Sequence, residues 1–155
     1  MRRVIIAILV AIAAATGLVA VQFAATTSAG AVPPACLHIY RIYYNSPGSD
    51  TGTNASLNAE FVSLHNACTT SRVMTSWKLK DAANHTFVFG AYTIRGGQYV
   101  RIHTGKGGPT ATDRYWGQSW YIWNNDKDTA SLYDNHGNLL ARCSYNNPNA
   151  SQKYC

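Results

Sequence analysis

The chain has 155 residues, 46% of them apolar, with 13 Lys and Arg against 7 Asp and Glu and a formal charge of +6. That length makes one domain around one core and leaves no room within it for an additional enzyme domain. A mildly basic balance favours anionic wall polymers, membranes or nucleic acid at low salt, although a solvated surface is its commoner cause.

The first element in chain order is a targeting segment. Arg2 and Arg3 precede an apolar run over 4–15, and the stretch closes on Ala29-Gly30-Ala31. A positive start, an apolar middle and small residues at the end are what the export machinery reads. Residues 1–31 are therefore expected to be a secretory signal peptide cut after Ala31. An anchoring helix is the rival, because apolar residues resume over 18–23. Gly17, Gln22 and Thr26-Thr27-Ser28 interrupt that span, however, and no basic stop-transfer cluster follows. The expectation is a secreted, extracellular protein with no transmembrane anchor after cleavage. Residues 32–155 then form a single exported domain, in which removing Arg2 and Arg3 leaves 11 basic against 7 acidic residues, about +4.

Beyond the cut the pattern is period two, the signature of half-buried strands. Over 37–44, Leu37, Ile39 and Tyr43 alternate with His38, Tyr40 and Tyr44. Residues 45–56 are rich in Gly, Pro, Asn, Asp and Ser and read as a loop. Over 60–66, Val62 and Leu64 oppose Phe61, Ser63 and His65. Trp77 and Leu79 alternate with Lys78 and Lys80, and a turn at 81–84 leads to His85, Phe87 and Phe89 alternating with Thr86 and Val88. Gly96-Gly97 introduces Val100 and Ile102, whose neighbours Tyr99, Arg101 and His103 are expected at solvent. Ala130 and Leu132 alternate with Thr129, Ser131 and Tyr133, and a turn at 134–138 opens a last strand through Leu139, Ala141 and Cys143. No segment carries helical spacing at useful length. Short strands separated by turn clusters predict an all-β sandwich of two antiparallel sheets.

All four cysteines, Cys36, Cys68, Cys143 and Cys155, follow the cleavage point, and no CxxC pair is present. An even count in an exported chain argues for two disulfides over a metal site or a reactive thiol. Three connectivities are open. If the strand from Leu37 returns antiparallel through 60–66, Cys36 lies near Cys68. Cys143–Cys155 would then pin the aperiodic tail 144–154 to the domain, each bridge adding roughly 2–4 kcal/mol.

Several pieces, in order, resemble the lamin tail domain family: residues 58–66, 77–81, 97–103, Tyr115-Trp116, and Trp123-Asn124-Asn125 leading into 128–132. The resemblance covers nearly all of 32–155 and is similar to small secreted actinobacterial members, which consist of a signal peptide and this domain. It implies an immunoglobulin-like sandwich acting as an interaction module, with no catalysis and no cofactor.

Motifs of chemistry are absent or broken. Gly105-Lys106-Gly107-Gly108 lacks the spacing and the Ser or Thr of a phosphate-binding loop. Asn124, Asp126 and Asp128 open like a calcium loop, but Thr129 stands where Gly is required and Asn135 replaces the closing Glu. Five histidines show no zinc spacing, Glu60 is the sole glutamate, and Ser119 lacks the second Gly of a nucleophile elbow. Asn54, Asn84 and Asn149 each sit in an Asn-X-Ser/Thr triplet, which arises readily in Asn-rich loops. A His and Asp site assembled across loops is the weakest reading.

The candidate binding surface is aromatic. Tyr115, Trp116, Trp120, Tyr121 and Trp123 fall within nine positions, with Lys106 and Arg114 nearby. Trp123 reads as structural, whereas Trp116 and Trp120 are the indoles expected at solvent; sealing one end of the sandwich is the competing role. Three partner classes follow. The first is an exported protein or cell-envelope polymer, met at the edge strands or the aromatic loop. The second is a polysaccharide, which requires Trp116 and Trp120 exposed and coplanar. The third, nucleic acid, ranks lower and requires Lys78, Lys80, Arg101, Lys106 and Arg114 on one face.

Overall fold

A computed structural model describes residues 36–155; the expected signal peptide over 1–31 lies outside them. The elements in order are β1 (Leu37–Tyr43), α1 (Asn54–Ala59), β2 (Phe61–Asn66), β3 (Arg72–Val73), β4 (Lys78–Lys80), β5 (Thr86–Val88) and β6 (Thr93–Ile94). They continue as β7 (Tyr99–His103), β8 (Asp113–Tyr115), β9 (Lys127–Tyr133), β10 (Leu139–Asn146) and β11 (Gln152–Tyr154). A five-stranded sheet of order β11-β1-β2-β7-β8 stacks on a four-stranded sheet of order β10-β9-β4-β5, with β3 and β6 as a small third ribbon. This is the all-β sandwich expected from the alternation, of the immunoglobulin-like kind that the family resemblance implies. All pairings are antiparallel except β7 with β8, which is parallel and not anticipated.

The inward phases make the core. Ile39, Ile42, Val62, Leu64, Val100 and Ile102 of one sheet share a cluster with Leu79, Phe87, Ala130, Leu132 and Cys143 of the other. Trp123, Met74, Phe89 and Ile94 belong to the same cluster, and Tyr44 stacks flat on Tyr145 at 3.8 Å between ring centroids. Burying a large apolar side chain of this kind stabilises by roughly 1.5–3 kcal/mol.

Departures from simple alternation are bulges. Between Ile39 and Arg41 the register of β1 against β2 shifts by one residue. One extra residue inverts the phase, so Ile42 and Tyr44 are buried and Tyr43 turns outward, correcting the placement of Tyr43 beside Leu37 and Ile39. A second shift between Leu139 and Ala141 leaves Leu139 exposed instead of inward. The segment read as a loop over 45–56 contains the start of α1. Thr53 caps that helix by accepting from the Ser56 N–H, and Leu57 is its buried residue. Asn54 and Asn58 donate their amides to Lys106 O at 3.0 and 2.9 Å, which ties the helix to the turn after β7.

Both disulfides join the expected partners, Cys36 with Cys68 at a Cα separation of 5.2 Å and Cys143 with Cys155 at 5.9 Å. The tail is more than pinned: β11 adds an edge strand to β1, pairing Arg41 with Tyr154 and Tyr43 with Gln152. Among the described residues no helix is long and apolar enough to cross a membrane.

Candidate functional site

Glu60 organises the aromatic segment. Its carboxylate lies at the junction of α1 and β2, fully buried, and Oε1 accepts from Thr104 Oγ1 at 2.6 Å and from the N–H groups of Ile122 and Trp123 at 2.9 and 3.2 Å. Oε2 is buried with no partner. Burial pushes the carboxyl up to about 7 against those three stabilising bonds. The single glutamate is thus a buried clasp that holds 122–123 against the end of β7, which sequence reasoning noted only for its rarity.

Around that clasp the predicted surface residues separate. Trp120 is exposed, at 61%. Trp116 is half-buried against the core, with Phe87 at 5.8 Å and Trp123 edge-on at 6.0 Å. This corrects the expectation that both indoles stand at solvent, so the exposed, coplanar pair that the polysaccharide reading required is not formed; Trp120 instead meets Tyr121 edge-on at 5.5 Å. Tyr115 stacks on His103 at 5.1 Å. The Arg114 guanidinium lies 4.0 Å over the Tyr92 ring and donates to Thr110 O, so it is committed to the fold. Lys106 is exposed and contributes its backbone to Asn54 and Asn58. Trp123 is buried, as its structural reading requires.

The surface that sequence reasoning missed is the outer face of the five-stranded sheet. Strand register aligns its outward side chains in three rungs about 7 Å apart, two residues of strand rise. The first runs His38–His65–Tyr99, the second Tyr154–Arg41–Ser63–Arg101–Asp113, and the third Tyr43–Phe61–His103–Tyr115. Rings meet within and between rungs. His65 lies flat on Tyr99 at 4.0 Å, and Tyr40, the extra residue of the bulge, stands edge-on to Tyr99 and Tyr154 at 5.0 and 5.6 Å. Tyr43 stacks on Phe61 at 5.6 Å, and the Arg41 guanidinium covers Phe61 at 5.0 Å while donating to Gln152 and Tyr154. Tyr99 and Tyr154 remain 43% and 52% exposed.

Charge on this face is predominantly cationic. Asp113 is the carboxylate of the rungs, taking His103 Nε2 at 3.0 Å and lying 3.6 Å from Arg101 Nε. Its burial works upward, but hydrogen bonds from His103, Thr112 and Thr110 and the charge of Arg101 hold its carboxyl below the usual range. His103, expected at solvent, is buried, because its Nδ1 lies 2.7 Å from Asn58 O and its ring packs under Tyr115. Burial, with repulsion from His38, lowers the His65 pKa, which favours the neutral ring that stacks on Tyr99.

Other candidate sites dissolve into structure. Asp128 spends Oδ1 on the N–H groups of Ala82 and Thr129 and Oδ2 on Asn124, so the calcium-like spacing closes a loop on itself. Among the described residues no group of three or more His, Cys, Asp or Glu gathers as a metal site. Lys78 and Lys80 belong to the four-stranded sheet and Arg101 to the five-stranded one. The five cations named for nucleic acid therefore do not share a face.

The model of the Lamin Tail Domain family matches residues 32–147. The chain belongs to that family. Lamin tail domains are immunoglobulin-like and non-catalytic, in keeping with a sandwich whose conspicuous surface is a ring-covered sheet. No curated protein matches this chain.

Proposed function

We propose that this lamin tail domain is an exported, non-catalytic interaction module that binds an acidic polymer of the cell envelope on the outer face of its five-stranded sheet. The observation that carries this reading is the three-rung array. A sheet face turned to solvent is ordinarily polar, whereas this one presents Tyr40, His65, Tyr99 and Tyr154 around the cations Arg41 and Arg101. Aromatic rings supply contact area at little entropic cost, and a half-exposed guanidinium supplies the charge complement to carboxylate or phosphate. Two disulfides suit the oxidising compartment that the signal-like leader implies.

The test is co-sedimentation of the oxidised protein with purified cell walls, before and after chemical removal of their anionic polymers. A Tyr99→Ala, Arg101→Ala double variant runs alongside. Retention that disappears on stripping, weakens with salt and is lost in the variant supports the proposal. Equal retention of variant and wild type overturns the sheet face as the site. No retention on walls turns the search to an exported protein partner.

A further inference from the structure

The cleft beside Trp120 shares no residue with the sheet face and carries a separate conclusion. It has a volume of about 230 Å³ and is lined by Asp50 and residues 120–125. That is smaller than the ~300–1,000 Å³ of sites for drug-sized ligands and suits a single ring. Trp120 is the most exposed Trp, Tyr or Phe among the described residues.

Its position is nonetheless built. Gly52, with φ +66°, lies so close to the edge of the indole that a Cβ there would come within 2.6 Å of Trp120 Cζ3 and 3.2 Å of Cε3. Backbone therefore abuts one edge of the ring, which fixes its position while the side chain stays 61% exposed. Tyr121 bonds Ser56 Oγ through its hydroxyl at 2.5 Å, and Glu60 holds the next two N–H groups. Before Trp120, Gln118 donates its N–H to Thr104 O at 2.9 Å, so the platform is held on both sides in sequence and binds at a reduced ordering cost.

The remaining lining selects the ligand. Asp50 accepts from Asn125 Nδ2 at 2.9 Å, which places a carboxylate and an amide beside the indole. Trp123, whose buried Nε1 has no partner, also lines the cleft. No Lys or Arg lines it, and Asp50 repels phosphate and carboxylate, so nucleotides and acidic sugars are disfavoured. We propose that this cleft takes a neutral pyranose ring of a glycan chain, its C–H face on Trp120 and its hydroxyls on Asp50 and Asn125.

The experiment is co-sedimentation of the oxidised protein with chitin, cellulose, xylan and purified peptidoglycan at physiological salt, comparing wild type with Trp120→Ala and Asn125→Ala. Which polymer retains the protein distinguishes a wall glycan from an external one. The expected result is retention on at least one, insensitive to salt, and roughly tenfold weaker in Trp120→Ala, as for loss of one stacking platform. Asn125→Ala falls between. Near-UV circular dichroism confirms that the exposed ring is not needed for folding. Retention equal in wild type and Trp120→Ala, or no retention on any of the four, overturns the proposal, and either result leaves the sheet-face reading untouched.

Discussion

The buried clasp at Glu60 makes a pH-dependent prediction of known sign. Its carboxyl titrates near 4.5 in the unfolded chain and at about 7 in the folded one, because burial outweighs three hydrogen bonds to Oε1. Below pH 4.5 both states hold the proton and ionisation costs nothing. Between 4.5 and 7 the unfolded state releases it while the folded state keeps it, so stability falls as pH rises and levels off above 7. At 1.36 kcal/mol per unit of pKa the full loss is about 3 kcal/mol, of which about 2.5 kcal/mol falls between pH 5 and pH 8. Glu60→Gln isolates this quantity. Glutamine preserves the acceptor for Thr104, Ile122 and Trp123 and replaces the unpartnered Oε2 with an amide, at a fixed cost of about 1–3 kcal/mol that does not depend on pH. Urea unfolding of both proteins at pH 5 and pH 8 cancels every other titrating group. The variant gains about 2.5 kcal/mol on wild type across that interval, roughly 1 M in urea midpoint. A difference constant within about 0.5 kcal/mol between the two pH values would refute the reasoning and place the folded pKa near its ordinary value.

Other expectations concern the framework. A Cβ at Gly96 would lie 2.4 Å from the backbone oxygen of Thr69, which cannot swing aside, so Gly96→Ala lowers urea stability by about 1–3 kcal/mol. Asn66 is fully buried, donating to the carbonyls of Thr70, Ile94 and Arg95 and accepting from the Cys68 N–H. Asn66→Ala orphans these groups and costs about 2–4 kcal/mol by the same assay. Replacing the Cys36–Cys68 pair with alanines, which opens a separation of 32 residues, costs about 4 kcal/mol, and replacing the Cys143–Cys155 pair, separated by 12, about 3 kcal/mol. A larger loss from the second pair would show that β11 depends on its bridge beyond loop closure.

Period-two patterning made the sandwich readable because every core strand needs one apolar phase. Val62 and Leu64, Val100 and Ile102, Ala130 and Leu132 are all inside, as their alternation requires. The cysteine pairing was legible for the same reason, since antiparallel return of β2 along β1 sets Leu37 opposite Asn66 and brings Cys36 to Cys68. What escaped depends on a single residue or on distant partners. The extra residue at the β1 bulge reverses Tyr43 and Tyr44 with no local mark in composition. α1 is too short for periodicity and is held by Thr53 and by Lys106, the latter far away in sequence. Trp116 and Trp120 are alike in sequence; Phe87 and Trp123 draw the first inward, while Gly52, 68 positions before the second, only abuts the edge of its ring.

The sheet face shows a subtler gap between pattern and function. Alternation assigns Tyr40, His65, Tyr99 and Arg101 to the outward phase correctly, and outward is then equated with solvated. Composition of that phase argues otherwise. A solvated phase is served by Lys, Glu, Thr and Ser, as Lys78 and Lys80 are on β4, whereas the outward positions of β1, β2 and β7, Ser63 apart, hold rings and guanidinium groups. Such side chains bury area on one another, as the 4.0 Å stack of His65 on Tyr99 does, and still leave Tyr99 and Tyr154 about half exposed. Partial burial among like neighbours lowers the cost of ordering the face before anything binds. If that preorganisation is the point of the array, Tyr99→Ala weakens wall retention more than Tyr133→Ala on the opposite sheet, while the two variants unfold in urea at similar midpoints. Equal retention would mean that the rings serve the sheet alone.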